Sequence, residues 1–407
     1  MEKLSEFVSA HISDDTARLI LDRGRWPDID MNLAVSCIES RRKLRGKVQE
    51  WYDVPELVFP VRLSAEQCSS SATARYKAEL AARIVPGKRR IADLTGGLGV
   101  DSWYFSKVAD KVLYNEMQPS LCEAARHNFS ILKAGNIIVT NNEVTPENST
   151  RILKDFTPDI IYMDPARRAE SGRKVFLIEE CTPDVLTLRE DIFRISRHIL
   201  LKLSPMADIS MVCDRLGSTC REVHVVSSGG ECKELLIWMD REWQDGYMIS
   251  AVELASDDEA TVFTFSPSEE KEAAYICWHK DEKTSYLFEP GKSLMKSGAF
   301  NLISARFEVS KLGKSTHYYT TDDPDKALML RRHGKVYRIV HYTHLDKRTI
   351  KTTGKVYPRA EVTARNIPMD TDALRKKLDV TSGDDAHIFG LKSDSAGNLL
   401  IVTEPCL

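Results

Sequence analysis

Three glycines in four positions, Gly96, Gly97 and Gly99, follow directly on a short run with strand character that ends at Asp93. A strand that breaks into such a turn is typical of cofactor-binding loops in α/β folds. Without a Cβ the backbone turns tightly and a ligand approaches closely. No G-K-[ST] follows the glycines, which excludes a P-loop. The segment Asp93-Leu94-Thr95-Gly96-Gly97-Leu98-Gly99 therefore constrains the fold first and leaves the ligand to its neighbours.

The sequence around the loop alternates short apolar runs with longer mixed segments. Strands are expected at 90–94, 111–115, 136–140, 159–163 and 199–203, with crossover helices such as 120–132 between them. Alternation of this kind builds a parallel sheet covered on both faces. Two further runs, 222–226 and 234–239, are separated only by 227–233. A parallel pair needs a dozen or more connecting residues, so these two must pair antiparallel. The common methyltransferase fold ends its sheet in this way, and few nucleotide-binding folds do. The expected class is α/β: a doubly wound Rossmann-like methyltransferase sheet ending in an antiparallel hairpin, with an N-terminal helical region and small C-terminal α+β domains.

The 407 residues allow two or three domains. The spacing divides them into a helical region 1–62, the sheet domain 63–245, an α+β domain 246–322 and a last domain 323–407. Beyond the sheet, strands are expected at 248–254, 261–265, 336–340 and 399–402. A linker is expected at 320–325 and one short helix at 371–378. The formal net charge of −3 gives no overall basic field, so any nucleic-acid signal is local. No signal peptide and no spanning apolar stretch are apparent. Nine cysteines without a C-x-x-C pair fit reduced thiols in a cytoplasm. Ten histidines without H-E-x-x-H spacing give no support for a metal.

Carboxylates choose the ligand. Asp93 beside the loop would repel a pyrophosphate, whereas S-adenosylmethionine brings an ammonium and a sulfonium that it would attract. Asp101 adds a second negative charge, and Thr95 lies in the same loop. Glu116 ends the next strand about twenty residues on, where an acidic side chain accepts ribose hydroxyls. Met117 is suited to the adenine face, and Asn141 and Asn142 to the adenine edge. The fourth strand leads into Asp164-Pro165-Ala166-Arg167-Arg168. There Asp164, held by Pro165, would accept a hydrogen bond from a target amine, and Arg167 would place a base or phosphate. Solvated arginines and a capping aspartate are the bland alternative. Cytosine- or uridine-C5 chemistry needs a nucleophilic cysteine. Lys202-Leu203-Ser204-Pro205 offers none, and Cys181 is expected to pack in a helix.

Asp93-Leu94-Thr95-Gly96-Gly97-Leu98-Gly99-Val100-Asp101 is similar to the D-x-T-[AG]-G-x-G-x-D loop of some ribosomal RNA guanine-N2 methyltransferases. Asp164-Pro165-Ala166-Arg167 resembles the D-P-P-[YF] loop of amino-methyltransferases, with Arg167 at the position of the base-stacking aromatic residue. Over its length the chain resembles the bacterial class I S-adenosylmethionine-dependent methyltransferases with a C-terminal THUMP-like domain. Leu63-Ser64-Ala65-Glu66-Gln67-Cys68-Ser69-Ser70, with Thr73, Tyr76 and Lys77, is similar to their pre-loop motif. Tyr286-Leu287-Phe288-Glu289-Pro290 resembles their ferredoxin-like insert, and Val362-Thr363-Ala364-Arg365-Asn366 their THUMP-like segment. The resemblance implies that Gln67, Ser69 and Ser70 touch the methionine end of the cofactor, while a helix cap is the other reading of Ser70.

Between Arg331 and Arg365 ten basic residues face only Asp346 and Glu361, with Tyr337, Tyr342 and Tyr357 interleaved. Cations would neutralise phosphates and tyrosines would stack on unpaired bases. The expectation is a cytoplasmic methyltransferase that modifies rRNA or tRNA at a base nitrogen and docks RNA through this C-terminal basic region, with no membrane and no metal. The rivals are a methyltransferase for a protein or small molecule, and a non-catalytic RNA-binding assembly factor.

Overall fold

The computed structural model describes residues 2–167, 178–255 and 260–405. The chain forms two compact units, residues 1–228 with 233–247 and residues 229–232 with 248–407.

The first unit begins with helices Glu2–Ala10, Thr16–Leu21 and Met31–Leu44. Asp15 and Asp30 cap the second and third through the backbone N–H of Ala17 and Leu33, satisfying donors that a helix start leaves open. The strands of its main sheet follow: β1 Arg90–Asp93, β2 Lys111–Glu116, β3 Ile137–Asn141, β4 Ile160–Met163, β5 His198–Leu203, β6 Cys220–Ser228 and β7 Glu231–Asp240. Their order across the sheet is β6-β7-β5-β4-β1-β2-β3. The pairs β1–β2, β1–β4, β2–β3 and β4–β5 are parallel, and β7 runs antiparallel to β5. The expected hairpin is present, but tighter than its sequence pattern. Only Gly229 and Gly230 separate β6 from β7, at φ 61° and 77°. Two positive φ values in a row match the two-residue turn that suits strand twist.

Helices Val100–Ser106, Pro119–Ile131, Ser149–Lys154 and Val185–Ile195 lie between successive parallel strands. Ile91, Ile160, Ile161, Leu200 and Leu201 are fully buried, each worth roughly 1.5–3 kcal/mol. This gives the loops beyond the strands a rigid base. In register, Asp93 stands between Tyr114 and Tyr162, so β1 ends one residue before β4 and two before β2, which carries Glu116 past the start of the glycine loop.

In the second unit Met248–Leu254 and Ala260–Phe265 pair antiparallel. A separate sheet has the order Ile276–Cys277, Ser310–Lys311, Tyr319–Thr321, Tyr286–Pro290, Gly334–His344, Gly397–Pro405, Thr381–Ser393, Arg359–Arg365. The pair at each edge is parallel and the pairs between are antiparallel. The linker expected at 320–325 is instead the end of a strand and the start of helix Pro324–Leu330. The Asp323 carboxylate caps that helix by accepting from the N–H of Asp325 and Lys326. Besides the expected Thr371–Leu378 there is a helix Lys347–Val356, capped by Asp346 with Thr349. Its sequence is basic and threonine-rich, with Ile350 and Val356 as its aliphatic residues. Among the described residues no helix is long and apolar enough to cross a membrane.

Candidate active site

A cleft of about 670 Å3 opens beyond the carboxyl ends of β1, β2, β4 and β5. Ligands sit there in open α/β sheets. Its floor is the glycine loop, and the glycines differ in what they do. A Cβ on Gly96 would lie 2.2 Å from the Tyr114 ring, and one on Gly99 2.8 Å from Phe129. Both are required by packing beneath the loop. At Gly97 a Cβ would meet only the Thr95 carbonyl oxygen, at an ordinary 3.9 Å, so it is the φ of 52° that calls for glycine there. The Tyr114 hydroxyl donates to the Gly97 carbonyl at 2.6 Å, and the Gly97 N–H donates to Glu116 Oε2 at 2.9 Å.

Asp93, expected from the sequence to meet the cofactor's positive charge, does not itself line the cleft. It is 1% exposed; its carboxylate accepts from the Thr95 N–H at 3.0 Å and the Ser102 hydroxyl at 2.6 Å. Burial pushes its pKa up to about 7, with Asp101 and Asp164 adding to the rise. Asp93 holds the loop from within. The carboxylates that face the cleft are Asp101, Glu116, Glu143 and Asp164, against the ammonium groups of Lys202 and Lys233.

Behind that face lies a buried ion network that the sequence did not disclose. Lys77, fully buried, donates to both oxygens of Glu234 at 2.9 Å and to Ser69 Oγ at 2.8 Å, and stands 3.2 Å from Asp101. Asp101 also accepts from Ser69 and from the Tyr162 hydroxyl, each at 2.9 Å. Burial alone would raise the Asp101 pKa, but Lys77 and Lys202 outweigh it and hold the carboxyl below its ordinary range. Burial raises Glu234. Lys202 donates to Asp164 Oδ2 at 2.5 Å. Burial opposes its charge, yet Asp164, Glu234 and Asp101 together raise it, so Lys202 stays protonated. The Asp164 N–H donates to Thr95 Oγ1 at 2.6 Å, which ties the loop after β4 to the glycine loop.

Of the residues singled out from sequence, Gln67, Thr95, Gly96, Gly97, Gly99, Asp101, Glu116, Met117, Asn142, Asp164 and Pro165 are brought together on this lining. Ser70 is not among them. Its hydroxyl caps helix Ser71–Ile84 in a reciprocal box with Thr73, so the helix-cap reading is the one realised. Asn141 also lies off the lining, because its amide donates to the carbonyls of Glu116 and Met117 at 2.7 and 3.0 Å. The Arg167 side chain and Arg168 lie outside the described residues, as does the acidic stretch 256–259. Ala166–Arg167 pairs with Cys181–Thr182, so Cys181 is buried in a short strand and not in a helix. The signal for Lys202 was a charge inside an otherwise apolar strand. For Lys77 the sequence carries no signal beyond its place in the pre-loop motif.

The tyrosines of the basic run do not stand free. Tyr337 is buried against Phe389, and its hydroxyl donates to Glu289 at 3.1 Å. Tyr342 packs edge-on against Trp278 and donates to the Lys280 carbonyl. Tyr357 packs on the core of the last domain. Tyr337 is thus closed off, while Tyr342 and Tyr357, half-buried, each pack part of their ring on the protein. Arg338 pairs with Glu404 and Arg359 with Asp384, while Lys335, Arg348 and Arg365 are exposed.

Residues 286–327 match a ferredoxin-like domain family and residues 334–405 a THUMP domain-like family. No protein of curated function matches the chain in sequence. A crystal structure called "putative methyltransferase", from Porphyromonas gingivalis W83, aligns with 100% of this chain and 98% of its own, at 28% identity and a TM-score of 0.85. An rRNA methylase from Streptococcus thermophilus aligns with 40% of this chain and 94% of its own, at 12% identity and TM-score 0.31. TrmK of M. capricolum, in complex with S-adenosyl-homocysteine, aligns with 42% and 69%, at 9% identity and TM-score 0.31. The chain thus has the class I methyltransferase fold, continued by ferredoxin-like and THUMP-like domains as its sequence resemblance implied.

Proposed function

We propose that the chain is an S-adenosylmethionine-dependent methyltransferase that modifies RNA at a base nitrogen. The observation that carries the cofactor is the acidic excess of the cleft, four carboxylates against two ammonium groups. That balance favours a sulfonium with an α-ammonium over a pyrophosphate. The donor set fits the cofactor. Glu116 uses one lone pair of each oxygen on the N–H groups of Gly97 and Gln118, leaving the others for ribose hydroxyls. Met117, Leu121 and Val144, on the cleft lining, would offer an apolar wall for adenine, and Gln67 and Ser69 would hold the methionine end. When bound, the cofactor supplies the electrophilic methyl group.

Asp164 is the acceptor-side residue. Lys202 holds its Oδ2, and Oδ1 is left to accept a hydrogen bond from an amine and aim its lone pair at the methyl group. Alignment of this kind can supply much of the rate. Lys202, permanently charged, is no proton acceptor, so the amine proton leaves to Asp164 or to water. Arg167 would place the base.

RNA is supported by the THUMP-like match and the exposed Lys335, Arg348 and Arg365. The occupied tyrosines favour the second reading, a protein or small-molecule acceptor. Purified protein with methyl-labelled cofactor and total RNA from a deletion strain tests the choice. Label is expected in RNA, with Asp164→Ala reducing incorporation by roughly 100-fold or more. Label entering only the protein fraction would replace RNA by the second reading. Cofactor binding without any turnover would make the chain an assembly factor.

A further inference from the structure

The second unit contains another cavity, of about 780 Å3, between helix Lys347–Val356 and helix Thr371–Leu378. Its floor is aliphatic. Leu345, Ile350, Met369 and Leu378 belong to the core cluster beneath or pack against it. Its rim is cationic. Lys347, Lys351 and Lys355 recur every four residues along one helix face, and Lys377 stands on the other helix. All four are exposed, and none is in an ion pair among the described residues. Of the two carboxylates at the rim, Asp346 is engaged as a helix cap, accepting from the N–H groups of Arg348 and Thr349 at 2.7 and 2.8 Å. The rim is therefore net positive, and lysine stems can lie on the apolar floor with their heads in water.

Length and lining define the ligand. Eight residues of helix rise about 12 Å, so the lysine row is too long for one carboxylate or one phosphate. It matches a chain with anions at intervals. The lining holds no aromatic ring and no arginine. A base would find nothing to stack on, and a phosphate no guanidinium fork. An aliphatic side chain would find a matching floor.

We propose that this cavity docks an acidic peptide segment of a partner protein, with its carboxylates on the lysines and a leucine- or isoleucine-type side chain on the floor. An extended peptide advances about 3.3 Å per residue and points alternate side chains the same way, so about four residues span the row. The proposal goes beyond methyl transfer and holds whichever acceptor the first unit takes.

The probe is a fluorescein-labelled synthetic peptide of alternating glutamate and leucine, titrated with the full chain and followed by anisotropy. Saturable binding is expected. It should weaken about tenfold or more in the Lys351→Glu/Lys355→Glu variant, and weaken as salt rises from ~0.05 to ~0.5 M. A serine-for-leucine peptide should also bind about tenfold more weakly. A lysine–leucine peptide should prefer the double variant to the wild type, which separates lost charge complementarity from misfolding. The proposal is overturned if binding is not saturable or if the serine peptide binds equally well. It is also overturned if a single-stranded oligouridine binds more tightly than the peptide and is lost in the same variant.

Discussion

A carboxyl shut away from water carries a pH signature. Asp93 titrates near 7 in the folded protein because burial disfavours its charged form. In the unfolded chain an aspartate titrates near ~3.9. Between those values the folded state binds a proton that the unfolded state has released. The stabilisation is full below the unfolded pKa and is lost as pH rises through the folded one. From pH 5 to pH 8 the loss is about 2–3 kcal/mol. Asp93→Asn cannot titrate and keeps an oxygen for the Thr95 N–H. Urea unfolding at the two pH values should therefore show the wild type losing that much relative to the variant. Parallel pH profiles for the two proteins would refute the assignment.

Where two elements approach closely, a glycine can reverse the usual effect of a methyl group. Gly354 lies inside helix Lys347–Val356, and alanine in a helix interior is ordinarily favoured over glycine by about 1 kcal/mol. Here a Cβ would stand 1.8 Å from the Leu378 carbonyl oxygen, a backbone atom at the end of the neighbouring helix. Gly354→Ala should therefore destabilise, by roughly 1–3 kcal/mol. Gly135→Ala is the control, because that site has open space and no positive φ. A thermal denaturation in which Gly354→Ala is as stable as the wild type would show that the helices can part. At this scale the sequence was legible where one segment reports on itself. The strands β1, β2, β4 and β5 are largely buried and read as apolar runs, and the glycine loop announces its own turn. It was illegible where meaning depends on distant partners. Lys77 meets Glu234 across 157 positions, and Tyr337 finds Glu289 and Phe389 on other strands. Two-residue strands such as Ser310–Lys311 carry no period at all.

The whole molecule then separates into two sites of opposite sign, an acidic cleft lined within the first unit and a basic cavity lined within the second. Ligand linkage can tell them apart without any assay of turnover. A ligand bound only by the folded state at about 100 times its Kd stabilises by about 2.7 kcal/mol. In a domain of this size that is several degrees in Tm, at ~2–4 °C per kcal/mol. S-adenosyl-homocysteine should produce such a shift in the wild type. Glu116→Gln should remove most of it, because the ribose hydroxyls would lose a carboxylate while the loop keeps one oxygen for a backbone N–H. Lys351→Glu/Lys355→Glu should leave the shift intact, since neither lysine lines the cleft. An undiminished shift in Glu116→Gln would take the cofactor away from this end of β2. A shift lost in the lysine variant would mean that the ligand, or the stability it reports, depends on the second unit.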